Sequence, residues 1–142
     1  MQVFIVGTAI ESARALDKRR LNRQIVECYQ ILDAISGAKG WAKHPAVLQY
    51  KNHQQWLKNY VFCLEAYRKG KLNAAEANSW NATLTRPSWH TQEYYDQMKR
   101  RLYTKDPEHY KQWGHLGKSE VNWYYVDGDW RTYKNGKRLK DI

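Results

Sequence analysis

The 142-residue chain has only two cysteines, three prolines and two phenylalanines. Two thiols cannot build the disulfide framework of a small secreted scaffold. Cys28 and Cys63 both fall inside apolar helical patterns, where buried free thiols are the expectation. They cannot hold zinc by themselves, and His44, His53, His90, His109 and His115 show no paired ligand spacing. No metal and no cofactor is therefore expected. No apolar run reaches the roughly 18 residues that a transmembrane helix needs. The opening Met1-Gln2-Val3-Phe4-Ile5-Val6-Gly7 is apolar but short, without a basic flank, and does not read as a secretory signal. The expected location is the cytoplasm, away from membranes. Internal repeats, low-complexity tracts and long linkers are also missing, and the length suits one domain over residues 1–142.

Acidic residues are the minority. Against 14 Asp and Glu stand 24 Lys and Arg, a formal charge of +10. Aromatics make up 14% of the chain and include seven tryptophans, which disordered basic tails do not carry. A basic, aromatic-rich, compact domain meets a polyanion through phosphate neutralisation or base stacking. An acidic protein partner is the alternative reading of the charge.

Residues Val3 to Val6 are too few for an amphipathic helix and read as an extended, buried arm. Ser12 is suited to cap a helix that begins near Ala13 and continues to Ser36, where Gly37 stops it. Leu21, Ile25, Cys28, Leu32 and Ile35 form its apolar stripe. Pro45 marks the first turn of a second long helix to about Lys69, closed by Gly70, with a stripe of Val47, Tyr50, Leu57, Val61 and Leu64. A polar helix or loop from Asn73 to Thr85 ends at Arg86-Pro87-Ser88-Trp89. Thr91 through Thr104 is helical again, and Asp106-Pro107 begins a short helix to about Trp113. Asp127-Gly128 and Asn135-Gly136 then punctuate two strands, Val121 to Val126 and Asp129 to Lys134. The expected fold is mainly α: a compact single-domain bundle of three to five helices with a C-terminal β-hairpin.

On a wheel at about 100° per residue, Leu21, Ile25, Cys28 and Leu32 define the core face of the first long helix. Glu27 lies about 120° from that face, with Arg20 a heptad back, Arg23 one turn back, Gln24 beside it and Arg19 on the flank. An i, i+4 pair such as Arg23 and Glu27 is by itself an ordinary solvated pair that contributes a few tenths of a kcal/mol. The functional reading is that arginines deliver a nucleic acid to a carboxylate. Such an acid can stabilise a cationic transition state or activate a nucleophile. The cations around it would keep Glu27 ionised.

The run Leu16-Asp17-Lys18-Arg19-Arg20-Leu21-Asn22-Arg23-Gln24-Ile25-Val26-Glu27 resembles the leading helix of the pyrimidine-dimer DNA glycosylases, the phage endonuclease V family. It is similar above all to a bacterial branch that begins Met-Gln-x-Phe. Gly40-Trp41-Ala42-Lys43-His44-Pro45-Ala46-Val47, Arg86-Pro87-Ser88-Trp89 and Lys105-Asp106-Pro107-Glu108-His109-Tyr110 follow in the family's order. The resemblance thus spans roughly residues 1–114 and leaves 115–142 as a hairpin extension. It implies a small helical DNA repair enzyme that excises a damaged base and then cleaves the backbone. The carboxylate at Glu27 would stabilise the oxocarbenium-like sugar and assist proton removal in the lyase step. The chain's α-amine would form a Schiff base with the sugar C1′. The family removes its initiator Met to expose a small residue. Gln2 would keep Met1 in place here, so the resemblance assigns the amine to Met1. Val26 stands where the family has an arginine. Base excision by Glu27 with water as the nucleophile depends on neither position.

Lys99, Arg100 and Arg101 join Arg19, Arg20, Arg23 and Gln24 as candidate phosphate contacts. Tyr110, Lys111 and Trp113 are suited either to stacking and backbone contacts or to plugging the core. His44 before Pro45 reads as a structural cap or a satisfied core histidine, with a site role as the lesser alternative. Arg131, Lys134, Lys137, Arg138 and Lys140 form a second phosphate patch or solubilise the tail. The leading expectation is a monomeric DNA N-glycosylase acting on duplex DNA, with the AP-lyase step open. The alternatives are a non-catalytic nucleic-acid-binding module on the same scaffold and an enzyme acting on the glycosidic bond of a small nucleotide.

Overall fold

The computed structural model describes residues 1–37, 42–73 and 85–139. Residues 1–6 run as a non-helical arm whose Val3 and Ile5 side chains are fully buried. The arm ends at Thr8, which caps α1 (Ala9–Ala15). Thr8 Oγ1 accepts from the Glu11 amide at 3.1 Å, and Glu11 Oε1 accepts from the Thr8 amide at 3.4 Å. This reciprocal pair is a capping box. Ser12, the residue expected to cap, lies inside α1 instead. Its hydroxyl accepts from the Val6 amide at 3.0 Å and donates to the Thr8 carbonyl at 2.9 Å, pinning the arm to the helix.

The single helix expected from Ala13 to Ser36 is therefore two. Leu16 and Asp17 are extended, with ψ of 135° and 158°, and α2 (Lys18–Ile35) starts after them. A partner far along the chain enforces the break. The Asp17 amide donates to the Tyr110 hydroxyl oxygen at 3.0 Å, and the Asp17 carboxylate accepts from Tyr110 and from Arg20.

The second long helix also divides, into α3 (Pro45–Tyr50) and α4 (Gln54–Arg68). His44 caps α3, its Nδ1 accepting from the Ala46 amide at 3.1 Å, and Pro45 occupies the first turn. On an unbroken helix Tyr50 and Trp56, six residues apart, would point about 120° away from each other. The interruption at residues 51–53 brings their rings into a stack, 5.8 Å apart and 18° from parallel.

Of the polar stretch from Asn73 to Thr85, residues 74–84 lie outside the described residues. Thr91 caps α5 (Gln92–Lys105) as expected. Asp106-Pro107 does not open an α-helix. A turn follows, in which Asp106 Oδ1 accepts from the His109 amide, and then a 3₁₀ helix (Lys111–Leu116). The fully buried Tyr110 stacks on Trp113 at 5.3 Å and 8°, a pairing that three-residue periodicity favours.

The tail forms β1 (Asn122–Val126), β2 (Asp129–Lys134) and β3 (Lys137–Arg138), antiparallel in that order, so the expected hairpin gains a third short strand. Both turns place their central residues at positive φ: Asp127 and Gly128 at 53° and 81°, Asn135 and Gly136 at 52° and 76°. That geometry is the type I′ turn which Asp-Gly and Asn-Gly favour. β1 packs on α3 and α5.

One core joins the arm, the helices and β1. Cys28 and Cys63 are buried free thiols within it, and burial pushes the Cys63 thiol up to about 11. The arm is fastened chiefly by Gln24, which is buried on α2. Gln24 Oε1 accepts from the Phe4 amide, and Gln24 Nε2 donates to the Gln2 carbonyl at 2.9 Å. Tyr60 of α4 donates to the Phe4 carbonyl at 2.7 Å, and Tyr124 of β1 to the Met1 carbonyl at 2.7 Å. Replacing the amide by an apolar group of similar size strands two backbone groups. Gln24→Leu should therefore cost about 2–4 kcal/mol in urea unfolding. An unchanged midpoint would show that the arm is not held this way.

Candidate nucleic-acid groove and its carboxylate

Helical periodicity on α2 divides its residues as the wheel required. Leu21, Ile25, Cys28 and Leu32 are buried, while Arg19 and Arg23 are exposed. Glu27 lies between these two environments. Its side chain is only 15% exposed, whereas that of Arg23, its partner at 3.2 Å, is 73% exposed. The carboxylate thus sits low, with the guanidinium above it.

Glu27 is part of the wall of a groove of about 620 Å³. The groove is bounded by Phe4 of the arm, by Arg19, Arg20, Arg23 and Val26 of α2, and by Lys105 at the end of α5. Four cations therefore surround one carboxylate. Arg20 is the least free of them. It pairs with Asp17 at 3.3 Å and Asp106 at 3.6 Å and donates to the Lys105 carbonyl at 3.5 Å, bracing α2 against α5. Behind the groove, burial raises the Tyr124 phenol, Arg101 opposes that rise and the charge of Glu27 adds to it.

The other sequence candidates are dispersed. Gln24 lines the groove beside Glu27, but its amide is buried and clamps the arm. Lys99, Arg100 and Arg101 point in different directions because consecutive helical residues do not share a face. Lys99 pairs with Asp96 at 3.9 Å and lies 5.8 Å over the Trp113 ring. Arg100 Nε donates to the Leu116 carbonyl at 2.9 Å. Arg101 donates to Asn122 Oδ1 at 2.8 Å and to the Ser119 carbonyl at 3.0 Å. These arginines tie the tail to α5. Tyr110 is fully buried and offers no face for stacking on a base, while Lys111 is exposed. Met1 is partly buried and is not part of the groove wall. Burial lowers the pKa of His44, and the charge of the Met1 α-amine adds to that effect. Sequence reasoning did not single out Phe4, Asn22, Val26 and Lys105 as site residues, and of these Lys105 and Phe4 come from outside α2. Only the meeting of α5 and the arm with α2 brings them there.

A second cavity of about 520 Å³ lies along the next stretch of the arm, walled by Val6, Trp56, Arg86, His90, Tyr95 and Lys99. Its acid, Glu11, is committed to the capping box. Burial, reinforced by Arg86 and His53, pushes the pKa of His90 down to about 3, so the imidazole is neutral at physiological pH. The groove at Glu27 gathers more cations around its carboxylate, Arg19, Arg20, Arg23 and Lys105, than the Arg86 and Lys99 that share the second cavity with Glu11. Among the described residues no group of three or more His, Cys, Asp and Glu side chains could hold a metal ion. No helix among them is long and apolar enough to cross a membrane.

Residues 1–70 match the family model of the pyrimidine dimer DNA glycosylases. The match takes in the arm, α1, α2 with Glu27 and the groove arginines, α3 and α4. No curated protein and no solved structure matches this chain. Lys105 and the blocks at Arg86–Trp89 and Lys105–Tyr110 lie beyond the matched residues.

The Asp17 contacts that break α1 from α2 carry a pH signature. Burial alone would raise the carboxyl, but the hydrogen bonds from Tyr110 and Arg20 outweigh it and hold Asp17 below its ordinary 3.8. That stabilisation is complete above the ordinary value and is lost as pH falls through the lower folded one. Tyr110→Phe should cost about 1–3 kcal/mol near neutral pH. The gap in melting temperature should narrow without closing as pH falls below about 4, because the bond from the Asp17 amide to the Tyr110 hydroxyl is lost at every pH. A constant gap across thermal melts in acid would remove Asp17 as the cause.

Proposed function

We propose that this protein excises a damaged or modified base from duplex DNA, with Glu27 as the carboxylate that stabilises positive charge developing on the deoxyribose. The observation that carries this reading is the place of Glu27, low in a groove whose other charged residues are cations. Exposed Arg19 and Arg23 are suited to the phosphates on either side of a lesion. Val26, half exposed beside Glu27, supplies an apolar surface against which a disturbed sugar or base can rest.

As the N-glycosidic bond lengthens, charge spreads over C1′ and O4′. A fixed, ionised carboxylate at the edge of a protein-lined groove stabilises that charge more than water does. The same carboxylate can accept a proton from the water that completes hydrolysis. The base must leave the stack for C1′ to be reached, which is a demand that cations and apolar surface together meet. The family's description makes pyrimidine dimers the first lesion to test.

Glu27→Gln keeps size and removes charge. Base release from dimer-containing duplex should fall by at least about 10²-fold, the scale of one lost transition-state contact. DNA affinity should hold or rise. Thermal stability should hardly move, since an i, i+4 pair whose Arg23 end is in solvent contributes only about 0.5 kcal/mol. Unchanged turnover would make Glu27 a surface ion-pair residue. A protein that binds duplex but releases no base from any lesion would be a binding module.

The two exposed arginines are tested separately. Arg19→Ala and Arg23→Ala should each reduce the slope of log affinity against log salt by about one. An unchanged slope in the double variant would take this face out of the interface.

A further inference from the structure

The second cavity, of about 520 Å³, shares no described wall residue with the Glu27 groove. Its volume falls in the range of small-molecule sites, ~300–1,000 Å³. Aromatic packing holds two of its wall residues in place. Trp56 stacks on Tyr50 at 5.8 Å and on Tyr60 at 5.4 Å, and the His90 ring meets it edge-on at 4.6 Å and 80°. The Tyr94 ring lies parallel to His90, 5.9 Å away and 4° from coplanar.

His90 is 1% exposed, and its Nδ1 has no hydrogen-bond partner among the described residues. Its Nε2 lies 3.0 Å from the Tyr50 hydroxyl, which meets no other partner among them. Were Nε2 the donor, the phenol proton and the Nδ1 lone pair would both be stranded. With the phenol donating, the one ring proton of the neutral imidazole sits on Nδ1, and a single donor is left unused. A buried donor without an acceptor is costly, and a ligand that supplies one removes the cost.

The rest of the wall sets the other demands. Arg86 is exposed and forms no ion pair among the described residues. It lies against the Tyr95 phenol, which burial raises and which the charge and hydrogen bond of Arg86 pull back. Lys99 is already drawn to Asp96 at 3.9 Å and to the Trp113 ring, so Arg86 is the cation left for an anion. Glu11 Oε1 serves the Thr8 amide, which leaves Oε2 as an acceptor.

We propose that this cavity binds a free nucleoside monophosphate of the uracil or thymine type, with a base carbonyl on His90 Nδ1 and the phosphate on Arg86. Such a base carries two carbonyls around one N–H, which matches a wall of donors with one carboxylate among them. Its flat ring suits an aromatic wall. Inorganic phosphate would meet Arg86 and leave His90 unpaired, and a nucleoside would do the reverse. The ligand is free rather than part of a strand because the exposed arginines of α2 lie on the other groove. The inference stands apart from the reading of Glu27.

Calorimetric titration of the full chain, without DNA, with thymidine 5′-monophosphate, thymidine and inorganic phosphate tests it. The nucleotide should bind one to one and at least about tenfold more tightly than either part, the scale of one charge-assisted contact. Arg86→Ala should bring the nucleotide down to the affinity of thymidine. His90→Phe keeps a ring in the stack and removes Nδ1, and should weaken nucleotide and thymidine alike. Arg86→Ala changes an exposed side chain and carries the test even where His90→Phe fails to fold, which thermal melts of both variants would show. No binding, phosphate binding as tightly as the nucleotide, or an unchanged affinity in Arg86→Ala overturns the inference. So does displacement of the nucleotide by undamaged duplex, which would make the cavity part of the DNA path.

Discussion

A single buried amide determines where the first six residues lie, and their position shapes the groove. The arm has no helical hydrogen bonds of its own, so its backbone groups need partners elsewhere once they leave water. Gln24 supplies one acceptor and one donor to Phe4 and Gln2. Tyr60 and Tyr124 supply donors to the carbonyls of Phe4 and Met1. Because Gln24 precedes Glu27 by three residues, a little under one helical turn, the same helix that clamps the arm presents the carboxylate beside it. Phe4 becomes part of the wall as a direct result.

The second constraint is electrostatic and works at the start of α2. Asp17 and Asp106 bind Arg20 from two sides, and Tyr110 reaches Asp17 from a segment 93 residues away in sequence. This brace consumes one arginine of the cationic face and leaves Arg19 and Arg23 exposed. It also delivers the end of α5, and with it Lys105, to the groove. Charge here divides into two uses: Arg20, Arg100 and Arg101 hold segments together, while among the described residues the side chains of Arg19, Arg23 and Lys105 make no comparable contacts to the backbone of other segments.

The tail beyond the matched residues is part of the fold's support. Tyr124 and Val126 of β1 are buried, and Tyr124 reaches both the Met1 carbonyl and the electrostatic field of Glu27. The Gln97 amide donates to the Val121 carbonyl at 2.7 Å, which couples α5 to the start of the sheet. A strand added after the helices thus backs the groove rather than hanging from the domain.

Local rules made much of this legible in the residues alone. The 3.6-residue period separated Glu27 from the Leu21–Ile25–Cys28 face, Pro45 and His44 marked the start of α3, and Asp-Gly and Asn-Gly announced both turns of the sheet. Each depends on interactions within a few residues. Tertiary contacts decided the rest. Asp17 breaks a continuous helical pattern because Tyr110 binds it, and Tyr50 leaves one because its ring stacks on Trp56. Gln24 and Tyr110 are polar or amphipathic side chains that read equally well as surface or core. Only the backbone groups and carboxylate waiting for them in the interior settled which. Lys105 enters the groove for the same reason: its distance from Glu27 along the chain carries no spatial information until Arg20 of α2 ties the end of α5 to it.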